Sequence, residues 1–133
     1  MIAMLGRFKR HELLYYWLPV PLWMGLIFII SSRSSLPSHP NGLVDFVLKK
    51  GSHVAEYGIL AFLLWRALSK GKGARASTPC TSAFVLTVLY ALSDEYHQTF
   101  VPGRNGHIGD VGVDALGAML ALLLIRRFGR RED

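Results

Sequence analysis

Cysteine is almost absent from this chain of 133 residues; Cys80 stands alone, so no disulfide forms within it. Charge is also sparse. Charged residues make up 18% of the sequence against 51% hydrophobic, too little polar surface for a water-soluble domain of this length. Acidic residues are outnumbered by basic ones, 9 to 15, for a formal net charge of +6. That excess does not point to nucleic acid, because the basic residues sit at the ends of apolar blocks, where membrane topology places them. Local metal motifs are missing as well. There is no Glu-x-x-His, no His-Glu-x-x-His and no cysteine pair, and the expectation is therefore no metal and no cofactor. No Gly-x-Ser-x-Gly occurs, which removes the commonest serine-hydrolase signature. No small-residue cleavage site follows the first apolar block, which prolines and bulky aromatics interrupt. It reads as a span rather than a cleaved signal peptide. No internal repeat is visible.

What the chain does have is four apolar blocks. They predict an all-α integral membrane bundle of about four short transmembrane helices, at about residues 13–30, 53–68, 81–95 and 111–125, in one domain covering 1–133. Tyr15, Tyr16 and Trp17 open the first block as an interfacial belt would. Pro19 and Pro21 predict a kink or a late helix start there. Arg66, near the end of the second block, is long enough to snorkel outward. Each block falls short of the roughly 20 residues that cross a hydrocarbon core. The helices must therefore extend into their polar ends.

Basic residues set the expected orientation. The N-terminal tail holds Arg7, Lys9 and Arg10, the middle connection Arg66, Lys70, Lys72 and Arg75, and the C-terminal tail Arg126, Arg127, Arg130 and Arg131. Together these are eleven of the fifteen lysines and arginines. By the positive-inside rule both termini and the middle connection are cytoplasmic. Ser69–Pro79 reads as a flexible link and Ser31–Gly42 as a polar loop.

That orientation puts Lys50, His53, Glu56, Tyr57, Asp94, Glu95, Gln98, Asp110 and Asp114 on one side, the extracytoplasmic one. A charged group at the bilayer centre costs about 2.5 kcal/mol or more and survives by facing the bundle interior and pairing. Lys50, His53 and Tyr57 share one helical face, and Asp94 and Gln98 share another. Asp110, Asp114, Gly117 and Ala121 form a stripe whose last two members let a helix approach closely. Arg104, in the turn Pro102–Gly106, is placed to cap the shared pocket, and its guanidinium suits a phosphate or carboxylate.

Each of these residues also has a plainer reading. Lys50 serves equally as an interfacial anchor, His53 as a packing histidine, Tyr57 as a belt or core residue, and Asp94 and Glu95 as solvated helix-end charges. Asp114 lies deepest and is the hardest to dismiss; its structural role would be to pair with Arg104 or Lys50. His97 and His107 read as plain loop residues.

The motifs occur in a recognisable order. Ser31-Ser32 ends the first span, Lys50-x-x-His53-x-x-x-Tyr57-x-x-Leu60 opens the second, Asp94-Glu95-x-x-Gln98 closes the third, and Pro102-Gly103-Arg104, Asp110 and Asp114-x-x-Gly117 lead into the fourth. From about Trp23 to Leu124 the chain resembles the VanZ-like family of small bacterial membrane proteins. Three positions depart from the family pattern: Lys49 where an Asp is frequent, His107 where a small hydroxyl residue is usual, and Asp114 where Asn is frequent. The family is named for a protein associated with resistance to teicoplanin, a lipid-bearing glycopeptide antibiotic. The resemblance implies a multi-pass protein of the bacterial cytoplasmic membrane with an envelope role.

Three functions follow as expectations. The first is binding of an anionic lipid or lipid-linked envelope component by Lys50, His53, Tyr57, Asp94, Glu95, Gln98, Arg104, Asp110 and Asp114, with a lipoglycopeptide antibiotic as a further partner. The second is phosphoryl or acyl transfer or hydrolysis, with His53 or Glu95 as general base. The third is a scaffold or small transporter component docking a partner helix on Gly117 and Ala121.

Overall fold

A computed structural model describes residues 9–34, 37–70 and 77–129. Arg7, Lys72, Arg75, Arg130 and Arg131, used above to orient the chain, lie outside the described residues. The described chain is all-helical: α1 (Arg10–Trp17), α2 (Pro19–Ser31), α3 (Gly42–Leu68), α4 (Ser77–Gln98) and α5 (Ile108–Phe128). The first two run nearly in line, so the architecture is a four-helix bundle. Two of its rods, α1–α2 and α5, are long and apolar enough to cross a membrane.

The break between α1 and α2 falls at Leu18, whose backbone remains helical. Its cause is covalent. Pro19 and Pro21 carry no N–H, so the carbonyls four residues earlier lose their helical donors. One of these, Tyr15 O, is recovered by Arg66 Nη2 at 2.6 Å. The Arg66 guanidinium also lies 4.8 Å from the Tyr15 ring centroid and 5.5 Å from that of Tyr16.

The helices are longer than the apolar blocks suggested. Helix α3 has 27 residues, about 40 Å at 1.5 Å per residue. It starts at Gly42 because the Asn41 side chain accepts from the N–H groups of Leu43 (3.0 Å) and Val44 (3.2 Å). Lys49 and Lys50 therefore belong to a helix and not to the first loop. Helix α4 is already helical at Ser77, inside the stretch read as a link, and runs to Gln98.

The core is made of small side chains. Ala61, Ala83, Ala91 and Ala118 are buried with Leu60, Leu64 and Leu122. Helices α3 and α5 approach most closely: the carbonyl oxygen of Gly117 lies 3.3 Å from where a Gly58 Cβ would stand. A Cβ on Gly117 would come within 2.9 Å of Val54 Cα. The small-residue stripe of α5 is thus filled by α3 of the same chain, and the partner-helix surface expected at Gly117 is taken. Helix α2 is tied on by side-chain bonds that include Trp23 Nε1 to Glu56 O at 2.9 Å, Tyr90 OH to Met24 O at 2.6 Å and Gln98 Nε2 to Ser31 Oγ at 2.9 Å.

Leu22, Ile29, Leu89, Leu123 and Leu124 are exposed, while Asp94, Glu95, Gln98 and Asp114 are buried. Apolar side chains outward and carboxylates inward is the distribution expected of helices solvated by lipid.

Candidate functional site

Along α4 one buried stripe runs Cys80, Ala83, Thr87, Ala91, Asp94 and Gln98. It changes character along its length, from small and apolar to acidic and amide. Helix α5 repeats this in reverse, with Asp114 near its start and Gly117, Ala118 and Leu122 beyond. Helix α3 contributes Lys50, His53 and Tyr57 at the same level. One end of the bundle interior is therefore polar because three amphipathic stripes place their polar segments together.

The contacts there cross between helices. Tyr57 OH donates to Asp94 Oδ2 at 2.8 Å, and both groups are buried. His53 Nδ1 lies 2.8 Å from Asp114 Oδ1, on a carboxylate with no exposed surface. Lys50 pairs with Asp110. Glu95 Oε2 accepts from the backbone N–H of His107 at 3.1 Å. Gln98 Nε2 donates to Ser31 Oγ at 2.9 Å. Asp114 was expected to meet Lys50 or Arg104. It meets His53 instead, because Lys50, one turn earlier on α3, reaches the carboxylate one turn earlier on α5.

Above these groups opens a cavity of about 900 Å³, near the upper end of the roughly 300–1,000 Å³ usual for small-molecule sites. Lys50, His53, Asp94, Gln98, Arg104 and Asp110 all line it, together with Glu56. Tyr57, Glu95 and Asp114 do not line it; they stand behind as supports. The structure thus assembles all nine expected residues at one end of the bundle and divides them into lining and supporting groups.

Arg104 is held over the cavity by its turn. Its N–H bonds Val101 O at 3.1 Å. Gly103 has φ of 80° and faces the Ser34 carbonyl, with room for no Cβ (2.9 Å). Gly106 is similarly pressed, on the Glu95 carbonyl (2.6 Å). Among the described residues the Arg104 guanidinium makes no ion pair, and its Nε is buried without an acceptor.

Several lining residues were not named as site residues from sequence: His39, Asp45, Lys49, Ser52 and Asn105. Asp45 and Lys49 form an ion pair of 2.8 Å. The Lys49 ammonium, then the His39 backbone N–H, hold the Asp45 carboxyl below its ordinary value of 3.8. His97 is a correction. It lies in α4 rather than in a loop, stacks on Phe28 at 4.6 Å and lies 3.0 Å from Ser32 Oγ through Nε2. No local spacing announces that contact, which joins residues 65 apart. His107 sits at the N-cap of α5 and contributes through its backbone N–H. Among the described residues, those that could hold a metal are His53, Glu95 and Asp114, whose donor-type atoms lie within 4.8 Å of one another.

An all-helical bundle with two membrane-length apolar rods and a polar recess at one end is the class that fold and site define. Residues 13–129 match the VanZ/LLP1 family, and the chain belongs to that family. No curated protein and no solved structure matches it.

Proposed function

We propose that the recess receives the anionic headgroup of a membrane lipid or of a lipid-linked envelope component. Arg104 carries this reading. A half-buried guanidinium with an unaccepted Nε–H, lining a cavity and paired with no carboxylate among the described residues, is a donor fork of the kind phosphate and carboxylate groups satisfy. Lys50 and Lys49 also line the cavity, each paired with a carboxylate there (Asp110 and Asp45), which leaves Arg104 as its unpaired cation among the described residues. Ile27, Ile30, Phe46 and Leu48 give the cavity an apolar flank for acyl or isoprenoid chains. The distribution of basic residues supports four spans in a bacterial cytoplasmic membrane, with both termini inside and the recess opening outward. Family membership agrees with an envelope role. Resistance to teicoplanin is a phenotype in which such lipid handling would show.

The test is the lipid that co-purifies with the protein, identified by mass spectrometry. Wild type retains anionic lipid; Arg104→Ala loses at least tenfold, and Arg104→Lys recovers part. Equal retention by wild type and Arg104→Ala contradicts the reading.

A second reading rests on the His53–Asp114 contact of 2.8 Å. A carboxylate that holds one ring nitrogen orients an imidazole to act as general base through the other. His53 and Arg104 both line the cavity. In a lipid-phosphate hydrolase, water would lose its proton to His53 as its oxygen bonds phosphorus, and the P–O bond to the lipid would break. The imidazolium would return the proton to the departing lipid alcohol while Arg104 stabilised the phosphoryl oxygens. Glu95, placed behind the wall, does not suit the base's role. Phosphate release from a panel of lipid phosphates, lost in His53→Gln, supports this; no release from any of them contradicts it.

A further inference from the structure

We propose that His53, Glu95 and Asp114 form a binding site for a divalent first-row transition cation such as Zn²⁺ or Mn²⁺. This inference stands apart from the headgroup reading and does not need it.

The three residues come from α3, α4 and α5, and their donor-type atoms lie within 4.8 Å of one another. Metal–ligand bonds of about 2.1 Å in tetrahedral geometry place ligand atoms about 3.4 Å apart. One pair, His53 Nδ1 and Asp114 Oδ1, already stands at 2.8 Å. Small side-chain rotations would bring the rest into range.

The second observation concerns unmet hydrogen-bonding capacity. Each of the neighbouring carboxylates uses one oxygen and leaves the other buried with no partner among the described residues. Asp114 Oδ1 meets His53 while Oδ2 is free; Glu95 Oε2 meets the His107 N–H while Oε1 is free. Both side chains are more than nine-tenths buried, Asp114 at 0% and Glu95 at 6% exposure. Asp94, outside the trio, repeats the pattern: Oδ2 takes the Tyr57 hydroxyl and Oδ1 is free. Buried carboxylate oxygens without donors are costly, and they call for a donor or a cation. The cations nearby do not answer. Lys50 is committed to Asp110, and Arg104 makes no ion pair with any of them.

Donor chemistry narrows the ion. One imidazole and two carboxylates make a borderline set, suited to zinc, manganese or iron; the all-oxygen sets that magnesium and calcium prefer contain no imidazole. Only His53 of the trio lines the cavity. The ion would therefore sit in the cavity's back wall, with its remaining coordination position toward the opening. Local motifs gave no sign of it, since the three ligands lie on three helices and no two of them share a helix.

The test uses the full-length protein purified in detergent, stripped with a chelator and dialysed. Titration with Co²⁺, followed by its visible absorption, reads coordination directly. One Co²⁺ per chain with a d–d spectrum of nitrogen and oxygen ligation is expected, displaced by Zn²⁺ and not by excess Mg²⁺. The isosteric variants His53→Gln, Glu95→Gln and Asp114→Asn should each weaken Zn²⁺ binding more than tenfold, at unchanged helix content by circular dichroism. Arg104→Ala should bind the metal as wild type does, so failure of the headgroup reading leaves this result standing. A wild-type protein that takes up no Co²⁺ at one per chain overturns the proposal whether or not the variants fold. So does Zn²⁺ affinity unchanged in the trio variants, or displacement by Mg²⁺ as readily as by Zn²⁺.

Discussion

Where α1 meets the far end of α3, polar groups are answered locally. Arg66 donates to the Tyr15 carbonyl that Pro19 leaves unbonded and covers two tyrosine rings, and Lys70 pairs with Glu12. Among the described residues, the buried side-chain atoms left without partners there are all donors: Trp17 Nε1, Trp65 Nε1 and Arg66 Nε. At the recess the balance is reversed. Among the described residues, three of the four unpartnered buried side-chain atoms there are carboxylate oxygens, of Asp94, Glu95 and Asp114, and the fourth is Arg104 Nε. Indole donors at a helix end suit the headgroup region of a bilayer. The Arg66 guanidinium already has the Tyr15 carbonyl and two tyrosine rings, whereas no contact of that kind engages the Arg104 guanidinium among the described residues. Buried carboxylate oxygens find no such partners in lipid. The difference separates an end whose loose donors suit a headgroup layer from the end where the ligand site is proposed.

The largest effects should come from the helix contact that holds the recess together. Gly117→Ala drives a Cβ into the Val54 backbone and should cost about 2–3 kcal/mol, as overpacking does. Gly112, on the same helix, has open space around it, and Gly112→Ala should instead gain up to about 1 kcal/mol. Thermal unfolding of the two purified variants checks this; equal shifts would mean that α3 and α5 do not meet there.

Next comes the recess itself. Tyr57→Phe strips the donor from Asp94 Oδ2 and should destabilise by about 1–3 kcal/mol. Glu12→Gln, at the other end, should leave the unfolding temperature within error of wild type, since a solvent-accessible pair contributes little. If both changes behave alike, the two ends do not differ as described.

Arg66→Ala should be intermediate, at about 1–2 kcal/mol, because it leaves the Tyr15 carbonyl unbonded at the proline break. The same unfolding assay reads it.

The smallest effect concerns pH. Lys49 and the His39 N–H lower the Asp45 carboxyl in the folded protein. A group with a depressed folded value stabilises above its unfolded value and loses that contribution as pH falls through the folded one. Stability should therefore be flat in this respect from pH 7 down to about 4 and fall below that. Asp45→Asn should flatten the acid limb slightly; an unchanged limb would show that the ion pair is absent in solution.

Much of this was legible in the sequence because helical spacing is local. Lys50, His53 and Tyr57 read as one face, Asp110, Asp114 and Gly117 as another, and the prolines announced the break at Leu18. Pairing between faces was not legible. Asp114 goes to His53 and Asp110 to Lys50 because of the relative height of α3 and α5, which no single helix encodes. His97 looked like a loop residue because the polar end of α4 resembles a turn in composition; its stacking on Phe28 depends on α2. Arg104 was readable as a cap only because the glycines on either side of it announce a tight turn. That its guanidinium lacks a carboxylate partner required the assembled fold.

The most direct measurement is thiol accessibility at the recess. Asn105→Cys, in a Cys80→Ser background and reconstituted in vesicles, places a single cysteine on the cavity wall. In whole cells a membrane-impermeant maleimide should label it from outside. In vesicles, labelling should slow at least severalfold when anionic lipid replaces zwitterionic lipid. Labelling only from the cytoplasmic side, or at a rate indifferent to lipid charge, would contradict an outward-facing recess that holds an anionic headgroup.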